Sequence, residues 1–278
     1  MRFIVAVVLI LQTVFATAQD DPAEKPYSNK NHFFIYWGWN RAWYSNSDIS
    51  FIGNTYDFTL KDVVAKDRQS NFNLDPYLNP MQMTIPQTNF RIGYYFNDHW
   101  SITGGVDHMK YVMVQNQTVK ISGEISGTET VYNDIYNDED IQLKEDFLIF
   151  EHTDGLNYVN FEARRKDELF SFSKISKAKI DINLIEGAGA GFLFPRTNTT
   201  LLSNERNDEF HVAGYGFSTM AGLNVTFWKH FFIQSELKGG FINMPDVRTT
   251  KFKSDKAKQH FFFGQLNYVF GLQFGFGK

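Results

Sequence analysis

The sequence predicts an all-β fold: a transmembrane antiparallel up-and-down β-barrel of about eight strands with long extracellular loops. Three observations predict it. Aromatic residues make up 17% of the chain, with 29 Phe, 13 Tyr and 5 Trp; aromatics favour strands, and Trp and Tyr favour membrane–water interfaces. Segments with an apolar residue at every second position recur along the chain, which is the period of a strand with one apolar face. The N-terminus has the layout of an export signal, and no later stretch approaches the ~18 apolar residues of a spanning helix. A closed barrel is the form in which such a chain occupies a membrane, because every backbone N–H and C=O is then paired between strands.

Arg2 supplies the positive end of the signal, Phe3 to Phe15 its apolar run, and Ala16-Thr17-Ala18 a cleavage site before Gln19. Residues 1–18 are therefore read as a signal peptide, 19–30 as a flexible periplasmic arm, and 31–278 as the barrel. The chain has no Cys, which excludes disulfides, thiolate metal sites, a Cys nucleophile and a lipidated N-terminal Cys. A net charge of −4 argues against a nucleic-acid partner.

The first strand is read over 33–43, with Phe33, Ile35, Trp37 and Trp39 on one face and Tyr36, Gly38 and Asn40 on the other. The second covers about 87–96, setting Phe90, Ile92, Tyr94 and Phe96 against Arg91 and Gly93. The third runs from His99 to about Lys120, with Ser101, Thr103, Gly105 and Asp107 on its polar face. The fourth starts near Leu156 and alternates Val159, Phe161 and Ala163 with Asn160, Glu162 and Arg164. The fifth covers 179–194, the sixth 212–227, the seventh begins at Phe231, and the eighth spans 261–276. Glu186 falls on the apolar face of the fifth strand, beside Ile182, Leu184, Ala188 and Ala190, so a bulge or a different register is expected there. The Gly187-Ala-Gly-Ala-Gly191 run would accommodate a bulge or another backbone at close range.

The polar faces are rich in Gly and in uncharged or pairable residues, which suits a narrow lumen. The apolar faces end in aromatics, which suits membrane girdles. Short connections at Asn97-Asp98 and Trp228-Lys229-His230 alternate with long polar stretches at about 45–86, 121–155, 195–210 and 244–259, and a longer link around Arg165–Lys177 joins strands four and five. Alternating lengths are expected of periplasmic turns and extracellular loops, and place both termini in the periplasm.

The segment Gly93-Tyr-Tyr-Phe-Asn-Asp-His-Trp-Ser-Ile-Thr-Gly-Gly105, with a looser copy from Phe227 to Ile233 before Gly239-Gly240, resembles the aromatic–turn–aromatic–Gly hairpin of the small, porin-like outer-membrane β-barrel superfamily. That resemblance implies an outer-membrane location, contact with outer-membrane lipid and lipopolysaccharide, and other outer-membrane proteins as partners. Members include structural, adhesive, transport and enzymatic proteins, so the fold does not choose among them.

Four groups of residues bear on chemistry. Glu151-His152-Thr153-Asp154 resembles the His-x-Ser-Asn signature of outer-membrane acyl hydrolases, but Asp154 stands where the nucleophilic Ser belongs; His152 and Asp154 are the catalytic candidates, against a plain strand-entry turn. Asp107-His108 points to opposite faces of a strand. Asp134, Asp138, Glu139, Asp140, Glu145 and Asp146 form an acidic loop with oxygen ligands for a hard cation, though without EF-hand order; a solvated loop is the plainer account. Arg91, Asp107, Glu162, Arg164, Glu236 and Lys238 all fall on polar faces, where three acids and three bases would brace a lumen. The expected function is a non-enzymatic outer-membrane barrel, with no cofactor, acting through its extracellular loops or as an accessory subunit of an assembly. The alternatives are a lipid acyl hydrolase or transferase, and a narrow channel or small-ligand binder.

Overall fold

The computed structural model describes residues 28–82, 85–172 and 179–275; the stretch read as a signal peptide and most of that read as an arm lie outside them. The strands in chain order are β1 (His32–Tyr44), β2 (Ser47–Gly53), β3 (Tyr56–Val63), β4 (Ala65–Lys66), β5 (Thr88–Tyr95), β6 (Trp100–Met113), β7 (Thr118–Ile125) and β8 (Asp134–Gln142). They continue with β9 (Leu148–Ser171), β10 (Ile180–Leu193), β11 (Arg196–Leu201), β12 (Asn207–Phe210), β13 (Gly214–Phe227), β14 (Phe231–Arg248) and β15 (Lys256–Gly275).

Eight of them close an antiparallel ring in the order β1-β5-β6-β9-β10-β13-β14-β15, sealed by pairing of β1 with β15 from His32↔Gly275 to Tyr44↔Phe263. These are the eight segments whose period of two is visible in the sequence. Period-two alternation sets one face inward and one outward. Ile92, Ile102, Phe161, Phe217, Ile233, Leu237 and Leu272 are exposed on the outer wall, while Asn89, Arg91, Thr103, Asn160, Glu162 and Gln234 are buried inside. Apolar outside and polar inside is the arrangement of a barrel solvated by lipid.

The narrow turns lie at one end. Between β5 and β6 the Asn97 Oδ1 accepts hydrogen bonds from the His99 N–H (2.9 Å) and the Trp100 N–H (2.7 Å). Between β13 and β14, Trp228 and Lys229 take φ of 51° and 69°, the left-handed pair that a tight hairpin turn demands.

At the opposite end the strands outrun the ring, and here the stretches read as polar loops are strands. From β15 the sheet continues through β2, β3 and β7 to β8, while β11 and β12 extend from β9. Facing residues pack as two layers: Phe51 meets Phe150 edge to face (5.6 Å between ring centres), and Phe58 meets Phe147 (5.8 Å). Ile49, Leu60, Met109, Ile121, Leu148, Leu156, Ile242 and Phe261 are buried between them. This cap has its apolar side inside, the reverse of the wall below.

Three further expectations are corrected. The third strand stops at Met113; Asn116 is left-handed (φ 63°), and the chain restarts as β7, which pairs with β3. Arg165–Ser171, taken for a connection, continues β9 against β10. Glu186 keeps the regular alternation, faces outward and lies across from Arg165; the irregularity is at Ile182/Asn183, nearer the hairpin end.

Candidate functional site

The interior is built in three layers. Nearest the narrow-turn end, Phe34, Tyr36, Tyr95, Phe232 and Val269 form a small buried cluster. The Phe34 ring lies 5.2 Å from that of Tyr95 and 6.3 Å from that of Phe232. Outside it, an open vestibule of about 270 Å³ is lined by residues including His99, Lys166, Asp181, Lys229 and Gln273.

The middle layer holds the six charges, from four strands of the ring, β5, β6, β9 and β14. Arg91 Nη2 is 3.2 Å from Glu162 Oε1 and 3.6 Å from Asp107 Oδ2. Arg164 reaches Glu162 at 2.6 Å and Glu236 at 2.7 Å. Lys238 Nζ lies 2.5 Å from Asp107 and 2.6 Å from Glu162. No side chain in the set is more than 3% exposed. Three acids against three bases leave no net charge, which is the condition for holding ionised groups away from water.

Neutral polar side chains complete the network, and these were not singled out from sequence although Tyr36, Asn40 and Asn160 sit on the polar faces read there. The Tyr36 hydroxyl accepts from Arg91 Nε (3.0 Å) and Arg164 Nη2 (2.9 Å) and donates to Glu236 Oε1 (3.3 Å). Arg91 also donates to Thr103 Oγ1 (3.0 Å) and Asn160 Oδ1 (2.7 Å). Asn160 and Asn89 donate to the two Asp107 oxygens (2.9 and 2.6 Å), and Asn267 donates to Glu236 (3.1 Å). Space for these long side chains comes from β10. Gly187, Gly189 and Gly191 pair with Arg164, Glu162 and Asn160 in turn. A Cβ at Gly189 would stand 2.2 Å from the Phe161 carbonyl oxygen and 2.5 Å from Glu162 Cγ. The glycine run serves close approach and bears no bulge.

The third layer is the apolar core of the cap, beginning at Tyr158, Met109 and Phe263. His152 lies in it, fully buried, with its Nδ1 2.9 Å from Thr197 Oγ1 and its ring 5.5 Å from that of Tyr111. Burial pushes its imidazole down to about 3, so it is neutral at ordinary pH. Asp154 faces outward toward Arg196 (3.7 Å) and Arg206 (3.9 Å). The two catalytic candidates are on opposite sides of the cap wall, because β9 skips register opposite Lys110, between Met109↔Leu156 and Tyr111↔His152. Asp107 points into the lumen, and His108 outside it bonds Asn157 Oδ1 (2.8 Å). Asp134, Asp138, Glu139 and Asp140 are exposed along β8. Asp138 pairs with Lys61 (3.1 Å) and Asp140 with Lys120 (2.9 Å). Among the described residues no group of three or more His, Cys, Asp or Glu is arranged to hold a metal ion.

Closed ring, apolar outer wall and polar interior define a small transmembrane β-barrel. Among solved structures the chain is similar to Ail, the attachment invasion locus protein of Yersinia pestis, at 13% identity and a TM-score of 0.32, covering 88% of this chain and 99% of that one. It is similar also to the outer membrane protein OprG of Pseudomonas aeruginosa, at 9% identity and a TM-score of 0.37, covering 88% and 97%. The N-terminal β-barrel domain of Pseudomonas aeruginosa OprF matches at 9% identity and a TM-score of 0.30, covering 88% and 98%. No protein-family model and no curated protein sequence matches the chain.

Proposed function

We propose that this protein is an outer-membrane barrel with a structural or interaction role and no catalysis, displaying a rigid β-structured cap at the cell surface. The observation that carries the reading is the sealed interior. A braced charge layer lies between aromatic rings on one side and an apolar core on the other, so the barrel supports a platform and offers solutes no path. The cap supplies the contact surface: Val131 at the tip of the β7–β8 hairpin is 92% exposed, and among the described residues β8 pairs only with β7. The charged residues along that edge, Asp134, Asp138, Glu139 and Asp140, discourage indiscriminate strand pairing, which favours a selective partner. The acyl-hydrolase reading lacks a base that can reach substrate, since His152 is enclosed.

Photo-crosslinking residues at Val131 and Phe252 in intact cells test the interaction role. Discrete adducts at these positions, absent from a crosslinker at lipid-facing Ile102, are expected. Lipid A and phospholipid acyl profiles of a deletion strain should match wild type. A shifted profile restored by the wild-type gene but not by His152→Ala would establish the enzyme instead.

A further inference from the structure

The ring is incomplete on one side at its cap end. β5 begins only at Thr88, and its pairing with β1 stops at Trp39 and with β6 at Asp107, yet β1 continues to Tyr44 and β6 to Met113. The segment between β4 and β5 closes this seam. Asp67 Oδ2 accepts from the Ala42 N–H (3.0 Å), the Asn40 N–H donates to the Gln87 carbonyl (3.2 Å), and Lys110 Nζ donates to the Ile85 carbonyl (2.5 Å). The rest of the segment has no place in the wall or the cap core. It folds back as a lobe, with a short kinked helical segment at Leu74–Tyr77, against the outside of β1. There the Tyr77 ring lies 5.8 Å from that of Trp39, which packs in turn on Phe270 of the outer wall (5.9 Å).

The lobe exposes large apolar side chains: Met81 (92%), Phe72 (79%), Leu74 (65%) and Leu78 (53%). Some of its polar groups bond one another, while Asn71, Asn73 and Asp75 stay on its surface. The Tyr77 hydroxyl donates to the Ser70 carbonyl (2.8 Å), Ser70 Oγ to the Ile85 carbonyl (2.9 Å), and Asn79 Nδ2 to Asp75 Oδ1 (3.0 Å). Backbone bonds from Leu78 to Leu74 (2.8 Å) and from Ile85 to Gln82 (2.9 Å) satisfy part of its main chain. Asp75 is the single charged residue between Gln69 and Gln87. A segment with a single charge and four large exposed apolar side chains is suited to a lipid interface, where the apolar groups enter the acyl region and the few polar ones stay near the headgroups.

Its height agrees. Trp39 stands seven residues above the His32 rim, or about 18 Å at about 3.3 Å per residue and a tilt of about 40°. An apolar band of about 25 Å therefore includes the level at which the lobe rests, and its apolar surface is continuous with the lipid-facing wall. We propose that this lobe, Ser70 to Gln82 with Ile85, is embedded in the outer leaflet and makes a lateral site for lipid acyl chains, so that one side of the barrel carries a wedge that the others lack. This rests on the membrane-barrel reading above.

The chain has no native Cys, so single-Cys variants can be nitroxide-labelled cleanly. Met81→Cys and Leu78→Cys would be compared in phosphatidylcholine vesicles with Ile102→Cys on the wall and Val131→Cys on the cap, each first shown to fold by its heat-dependent gel mobility. The labels at 81 and 78 are expected to be accessible to oxygen and shielded from a water-soluble nickel chelate, like that at 102. Chelate accessibility like that at 131 overturns the lobe's insertion. Shielding from both reagents also overturns it, in favour of a protein occupant such as a second copy. If the label at 102 is itself open to the chelate, the membrane-barrel reading fails as well, which separates the two outcomes.

Discussion

At the scale of single residues, the interior couples charge to packing. Glu236 is fully buried and bonded by Arg164, Gln234, Asn267 and Tyr36. Removing one partner of a buried ion pair leaves the rest uncompensated, which costs about 3–5 kcal/mol in a dry site. Glu236→Ala and Arg91→Ala are each expected to lose that order of stability, read as a lower temperature for the heat-dependent mobility shift. Wild-type stability in both would show the network to be hydrated. Gly189→Val tests the room beneath the network: overpacking costs about 1–3 kcal/mol, without altering any charge. His152 gives a pH signature in the cap. Its folded value of about 3 lies below the unfolded ~6.5. Above that unfolded value the ring is neutral in both states and stability is unaffected. As pH falls below it, the unfolded chain takes up a proton that the folded cap refuses, so stability drops, by about 2–3 kcal/mol at pH 4.5. Urea unfolding from pH 7.5 to 4.5 should show a loss that His152→Gln reduces; identical profiles would place a different group in control.

At the scale of elements, the ring strands were legible because each repeats one pattern over a full crossing, as in Leu266, Tyr268, Phe270 and Leu272 against Gln265, Asn267, Gly271 and Gln273. The cap strands carry the same period: Ile49 and Phe51 in β2, Phe58 and Leu60 in β3, Val119 and Ile121 in β7. They were missed because they are short and set among Asp, Asn, Ser and Lys, and because their apolar face points into a protein core, so no aromatic girdle marks their ends. The charge layer was half legible. Parity puts six ionisable residues on inner faces, but only the three-dimensional stagger of the strands brings Lys238 to Asp107 and Arg164 to Tyr36. The seam lobe was illegible, since it has no period. Paired cap strands also change what a protease meets. Trypsin added to intact cells should cut at Lys251 or Lys253, in the exposed tip between β14 and β15, and at Arg206 between β11 and β12. It should spare Lys61 and Lys120, whose backbones are held in β3 and β7. Early cleavage at Lys61 would mean that the β2–β3 hairpin is a loose loop after all.

At the scale of the whole molecule, two solvation regimes are stacked along one axis. In the ring lipid solvates the outside, so the apolar groups face out and the charges retreat to the lumen. In the cap water solvates the outside, so the same chain turns its apolar groups in. The switch falls between Asp107 and Met109 on β6 and between Asn160 and Tyr158 on β9, where successive inward side chains change from polar to apolar. Because the two interiors abut, closure does not depend on any single layer. Wild-type protein in planar bilayers is therefore expected to give no steady current. Arg91→Ala should give none either, even though it removes part of the charge layer, because the Phe34–Tyr95–Phe232 cluster and the cap core remain on either side of it. Removing the β2–β3 hairpin weakens the upper seal while leaving the ion pairs in place, so it too should conduct little. Large, steady single-channel currents from the wild type would show that the layers part readily in a membrane, and would move the function from platform to pore.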